Sequence, residues 1–95
     1  MRFSEAATAQ IESLRQHYMA KGRPEAVRNL TSALRAASRQ IVAGNSFPAP
    51  RPYPELARDG EAWTHAGRYW IAHTTARPYM IVAVFYDAAD IPGRR

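Results

Sequence analysis

Ala7, Ile11, Leu14 and Tyr18 recur at steps of four, three and four, which is one face of a helix. The spacing predicts a helix over residues 6–20. Ser4 stands before it as an N-cap, and Glu5 lies where the positive end of the helix dipole favours a carboxylate. Gln10, Arg15 and Gln16 fall outside the apolar stripe. Lys21-Gly22 ends the helix, with Gly22 suited to the left-handed position just past a helix end. Pro24 then opens a second helix, since its fixed φ and missing N–H suit a first turn. Val27, Leu30, Leu34, Ala37 and Ile41 form a three-four-three-four stripe along it, and Gly44-Asn45 stops it. The link at Gly22-Arg23 is short, so the two helices are expected as an antiparallel hairpin.

Residues 46–60 carry Pro48, Pro50, Pro52 and Pro54 in strict alternation. That spacing excludes a helix and favours extended, polyproline-like backbone, so a stiff connector crossing the sheet is expected. Its length is unusual for a plain loop and marks it as a candidate for function. Beyond it the pattern changes to strands. Residues 61–66 form a weak one, with Trp63 and His65 on one side. Gly67 marks a turn or bulge. Residues 68–75 form a clear strand opened by Arg68, with Tyr69, Ile71 and His73 on one face and Arg68, Trp70, Ala72 and Thr74 on the other. Ala76-Arg77-Pro78 is a turn. Residues 79–85 are apolar on both faces, as in a central strand covered on each side. Tyr86 closes this strand, and residues 87–95 form a tail. Residues 1–3 are a candidate edge strand.

The order helix, helix, strand, strand, strand predicts an α+β fold: an N-terminal helical hairpin packed on a small antiparallel sheet. The 95 residues suffice for one domain, 1–95, which buries only ~60–65% of its unfolded surface and can lean on a partner. No apolar run approaches a membrane span, and the first residues lack the apolar core of a signal peptide. Cysteine is absent, so neither a disulfide framework nor a thiolate metal site is expected. We expect a cytoplasmic protein without metal or cofactor.

Charge adds a partner to this picture. The net charge is +5, and of the 13 basic residues only Lys21 is not arginine. Arginine forks bind carboxylates and phosphates in bidentate fashion, which points to an anionic partner. Arg28, Arg35 and Arg39 lie close together on the face of the second helix opposite its apolar stripe. They read either as a solvated face or as a docking stripe for an acidic segment. Arg58 on the connector and Trp70 on the sheet are further candidate partner contacts. His65 and His73 are candidates for acid–base work, though a strand histidine is more often packed or at the surface.

Four segments carry a family resemblance. Ser4-Glu5-Ala6-Ala7 resembles an opening S-x-x-A before an amphipathic helix. Phe47-Pro48 resembles the start of an hP-x-x-G-x-P connector, here without its glycine. Ala66-Gly67-Arg68-Tyr69-Trp70-Ile71 resembles a V-G-R-Y-x-I strand. The run from Val84 to Pro92 resembles a terminal V-L-H-x-R-x-D-I-P. In this order, over nearly the whole chain, they resemble the RelE/ParE superfamily of type II toxins, closer to the ParE branch. The resemblance implies a toxin neutralised by a cognate antitoxin with an acidic, partly disordered segment, in a hetero-oligomer with it. It also implies one of two actions. ParE-like members inhibit DNA gyrase and block replication. RelE-like members enter the ribosome and cleave mRNA.

A metal-free ribonuclease needs a base for the ribose 2′-hydroxyl, cations for the pentacoordinate phosphate and an acid for the leaving oxygen. Arg68 matches the family's strand arginine, and Tyr86 stands where many members have histidine. These two are the candidate catalytic residues, Arg68 to clamp phosphate and Tyr86 to stack or shuttle a proton. Ala88 and Ala89 stand where basic residues often follow, and Asp87 and Asp90 bring negative charge. The cations a nuclease needs are thin along the sequence, so the ParE-like action is expected, with the RelE-like ribonuclease as the alternative.

Overall fold

The computed structural model describes residues 1–95. In chain order the elements are β1 (Arg2–Phe3), α1 (Glu5–Ala20), α2 (Pro24–Val42), β2 (Glu61–Ala66), β3 (Tyr69–Thr74), β4 (Met80–Tyr86) and α3 (Ile91–Arg94). The fold is α+β. The strands form one sheet in the order β1-β4-β3-β2. β2, β3 and β4 are antiparallel neighbours, as expected, but β1 runs parallel to β4, pairing Arg2 with Met80 and Phe3 with Ile81. The sheet is therefore mixed. The parallel pair arises because the whole helical hairpin and two strands intervene between β1 and β4.

The helices start and stop where their local chemistry dictates. Ser4 Oγ accepts a hydrogen bond from Ala7 N at 3.0 Å and caps α1. At its other end Gly22 has φ +64°, and Arg23 N donates to Tyr18 O at 2.9 Å, closing a Schellman turn. The buried stripe of α2 is Ala26, Leu30, Ala33, Ala37 and Ile41. Val27 and Leu34, both in the expected stripe, are only half-buried. The reason is proximity: a Cβ on Gly67 would lie 3.2 Å from Ala33 Cβ, so small residues face the sheet here.

The sheet is covered on both faces. On one, α1 and α2 enclose a cluster that includes Tyr18, Leu30, Ile41, Tyr69, Ile71, Ile81 and Val84. On the other, Trp63, Trp70, Ala72, Ala83, Phe85 and Ile91 pack together under Tyr53 and Leu56 of the connector. The connector does cross the sheet, and Pro50 is among its fully buried side chains. It is not extended throughout. Pro54–Leu56 forms one 3-10 turn, for which Pro54 supplies a preset φ at the first position. Phe47 pairs with Trp63 through two backbone bonds of 2.7 Å and closes part of the outer edge of β2. The tail is partly structured too: Ile91 is fully buried, and Arg95 donates to both oxygens of Glu61 at 2.6 and 2.7 Å.

β1 is too short to satisfy the whole edge of β4. The Ser4 backbone and the Gln10 side chain extend it. Val84 N donates to Gln10 Oε1 at 3.0 Å, and Ser4 N donates to Ile81 O at 2.9 Å. Gln10 lies outside the apolar stripe of α1, yet it replaces a missing strand neighbour.

Candidate functional site

Arg68 does not open β3. With Gly67 it forms the two-residue turn between β2 and β3, closed by the Ala66–Tyr69 pair. Gly67 has φ +56° at the first turn position, which a tight hairpin of this length requires and a side chain would strain. The turn throws the Arg68 side chain around the end of the sheet. Its guanidinium lies 5.3 Å over the Tyr86 ring, and its Nε donates to Asp87 Oδ2 at 3.3 Å. The hydrogen bond to Asp87, with its charge, pushes the Arg68 pKa above its ordinary value. Only Nε is engaged in this way, which leaves both Nη groups for an anion. The two candidate catalytic residues are thus brought together.

They line an open groove of about 1130 Å³ between the helical hairpin, the β2–β3 turn and the segment after β4. Arg23, Arg39, Arg68 and Arg94 line it, and no Asp or Glu does. Small residues also line it, with Ser13, Ser32, Ala33, Ala36, Gly67 and Ala88 among them. Tyr18, Tyr69 and Tyr86 supply aromatic faces and hydroxyls. Tyr18 and Tyr69 share a hydrogen bond of 2.6 Å between their hydroxyls, and the Tyr69 and Tyr86 rings meet edge-on at 5.8 Å. Burial, then the bond to Tyr18, raises the Tyr69 pKa well above that of a free phenol. Tyr69 therefore serves as a fixed neutral group and not as a base. Chemically, a groove lined by four arginines and no carboxylate suits an anionic ligand.

Of the expected partner contacts, Arg39 lines this groove. Arg28, Arg35 and Arg58 are exposed, carry no ion pair and lie outside its lining. Trp70 is only 7% exposed and packs in the second cluster, against Phe47 and His65, where it supports the sheet. The histidines separate. His65 is on the face away from the groove, where Nε2 lies 3.3 Å from the same Asp87 oxygen that Arg68 uses. His73 is buried and bonded to Ser46 and to a backbone carbonyl. No three His, Asp or Glu side chains converge as a metal ion would need.

Sequence reasoning missed Arg23, Arg94, His17, Tyr18 and Tyr69 as groove residues. Arg23 reads as a link, Arg94 as tail, and the tyrosines as core positions. Their meeting is tertiary. The one local signal was a pair of tyrosines on buried stripes, each with a hydroxyl that needs a partner. No protein-family model and no curated protein matches the chain.

Proposed function

We propose that this chain is the toxin of a type II toxin–antitoxin pair, ParE-like in its action: it inhibits DNA gyrase, blocks replication and is neutralised by a cognate antitoxin. The RelE/ParE resemblance motivates this reading. The observation that carries it beyond resemblance is the groove, with four arginines and no carboxylate in its lining. An acidic, partly disordered antitoxin segment is the partner whose charge such a groove complements, and electrostatic steering would speed their encounter. The helical hairpin laid on one face of a small sheet agrees with the α+β fold expected for such a chain. In this reading the protein acts in the cytoplasm as a hetero-oligomer with its antitoxin until the antitoxin is lost.

One observation favours the alternative, a RelE-like ribonuclease that cuts mRNA on the ribosome. Arg68 and Tyr86 are in contact, and three further arginines join Arg68 on the groove, more cations than adjacent sequence positions offer. Against it, Asp87 occupies Arg68 Nε, and a phenol is a weak base at neutral pH.

Pulse labelling after induction in a bacterial host separates the two. The ParE-like reading expects thymidine incorporation to stop first while methionine incorporation continues. The reverse order supports the ribonuclease. Unaffected growth and labelling contradict both.

A further inference from the structure

The hydroxyl of Ser46 lies 2.7 Å from His73 Nε2, and His73 Nδ1 lies 2.8 Å from Thr74 O. A carbonyl oxygen can only accept, so the Nδ1 position must carry the hydrogen. In the neutral imidazole this leaves a lone pair on Nε2, aimed at the Ser46 hydroxyl, which donates. Nucleophile, base and orienting group therefore stand in the order that activates a serine, with a backbone carbonyl in the orienting place.

The surroundings fix this arrangement. His73 is 3% exposed, so its ring cannot turn away without breaking into the core. Ser46 is only half-buried and remains reachable from solvent. The next residue, Phe47, is clamped to Trp63 by two backbone bonds of 2.7 Å. The Thr64 hydroxyl lies 3.2 Å from the carbonyl of the preceding Asn45. Tyr79 meets the His73 ring edge-on at 6.2 Å, and its hydroxyl accepts from Arg77 Nε at 3.4 Å. Ser46 and His73 are absent from the lining of the cationic groove, and the groove does not use them.

We propose that Ser46 and His73 form a nucleophilic dyad that accepts the acyl group of small carboxylic esters at Ser46 Oγ. As Oγ bonds to the ester carbonyl carbon, its proton passes to His73 Nε2. The bond from that carbon to the alkoxy oxygen then breaks, and the leaving oxygen takes the proton from Nε2. Water reverses the sequence: it gives a proton to Nε2, its oxygen bonds to the acyl carbon, the bond to Oγ breaks, and the proton returns to Oγ. Ester and water become acid and alcohol, and no other reactant is needed. This activity is independent of the toxin reading.

The probes are a fluorophosphonate, read by mass spectrometry, and p-nitrophenyl acetate, read by released nitrophenol. The expected result is a single adduct on Ser46 that is lost in Ser46→Ala. Its rate should fall by roughly a hundredfold in His73→Gln, the usual scale of base assistance. Folded wild-type protein with no adduct on Ser46, or an unchanged rate in folded His73→Gln, overturns the proposal. Should His73→Gln fail to fold, Ser46→Cys decides. Its thiol, paired with His73, should react with iodoacetamide roughly tenfold faster than the thiol of Met19→Cys at an exposed helix position. Equal rates overturn the dyad.

Discussion

Arg68 covers the ring of Tyr86 at 5.3 Å and holds Asp87 by its Nε at 3.3 Å, with its side chain largely in water. An exposed pair of this kind adds little to folding. Arg68→Ala should therefore melt close to wild type in circular dichroism. Its association with an acidic peptide should be slower, and less sensitive to added salt, than that of the wild type. Arg39→Glu should do the same, whereas Arg28→Glu, outside the groove, should matter less. Equal losses at Arg28 and Arg39 would move the partner surface from the groove to the outer face of α2.

Gly67 and Ala33 hold α2 close to the β2–β3 turn. Gly67→Ala places a Cβ at φ +56° and 3.2 Å from Ala33 Cβ. The left-handed backbone alone should cost about 1–2 kcal/mol. The close contact should add to this. Urea denaturation of the two single variants and of Gly67→Ala with Ala33→Gly gives the coupling. The double variant should be more stable than the sum of the single losses implies. Strict additivity would mean that the helix is not pinned here.

Gln10 carries a burden out of proportion to its exposed-looking place on α1. Gln10→Ala leaves Val84 N without its acceptor, at a cost of about 1–3 kcal/mol for a part-buried N–H. Gln10→Glu keeps an acceptor and should retain most of the stability. Amide exchange at Val84 should rise in the alanine variant and stay slow in the glutamate variant.

Tyr69 makes the stability depend on alkaline pH. Burial and the Tyr18 bond raise its folded pKa above the ordinary 10.0. Above that ordinary value the unfolded chain loses the phenol proton while the folded chain keeps it. The unfolded state then binds fewer protons, so stability falls as pH rises. Urea midpoints should be insensitive to this group below about pH 10 and decline above it. Tyr69→Phe should show a shallower decline.

Much of the architecture is legible in the chain because its signals are local. Ser4, Gly22, Pro24 and Gly44 punctuate the helices, and the apolar runs of β3 and β4 identify the inner strands. The direction of β1 was not legible, since two residues carry no pattern. The 3-10 turn at Pro54 hid in a proline alternation that equally suits extended backbone. Trp70 shows a different limit. An aromatic residue on a strand reads alike as ligand platform or core, and only the packing of the connector over that face decides. The pairing of Arg68 with Tyr86 followed from the hairpin. The groove did not, because Arg23, Arg39 and Arg94 reach it from the interhelix link, α2 and α3.

Gyrase inhibition is the activity proposed for this chain. The most direct measurement is DNA supercoiling by purified gyrase on relaxed plasmid, with increasing amounts of the purified chain. The expected result is a dose-dependent loss of supercoiling, reversed by an acidic partner and weakened in Arg68→Ala. Unchanged supercoiling together with mRNA cut on translating ribosomes would contradict it.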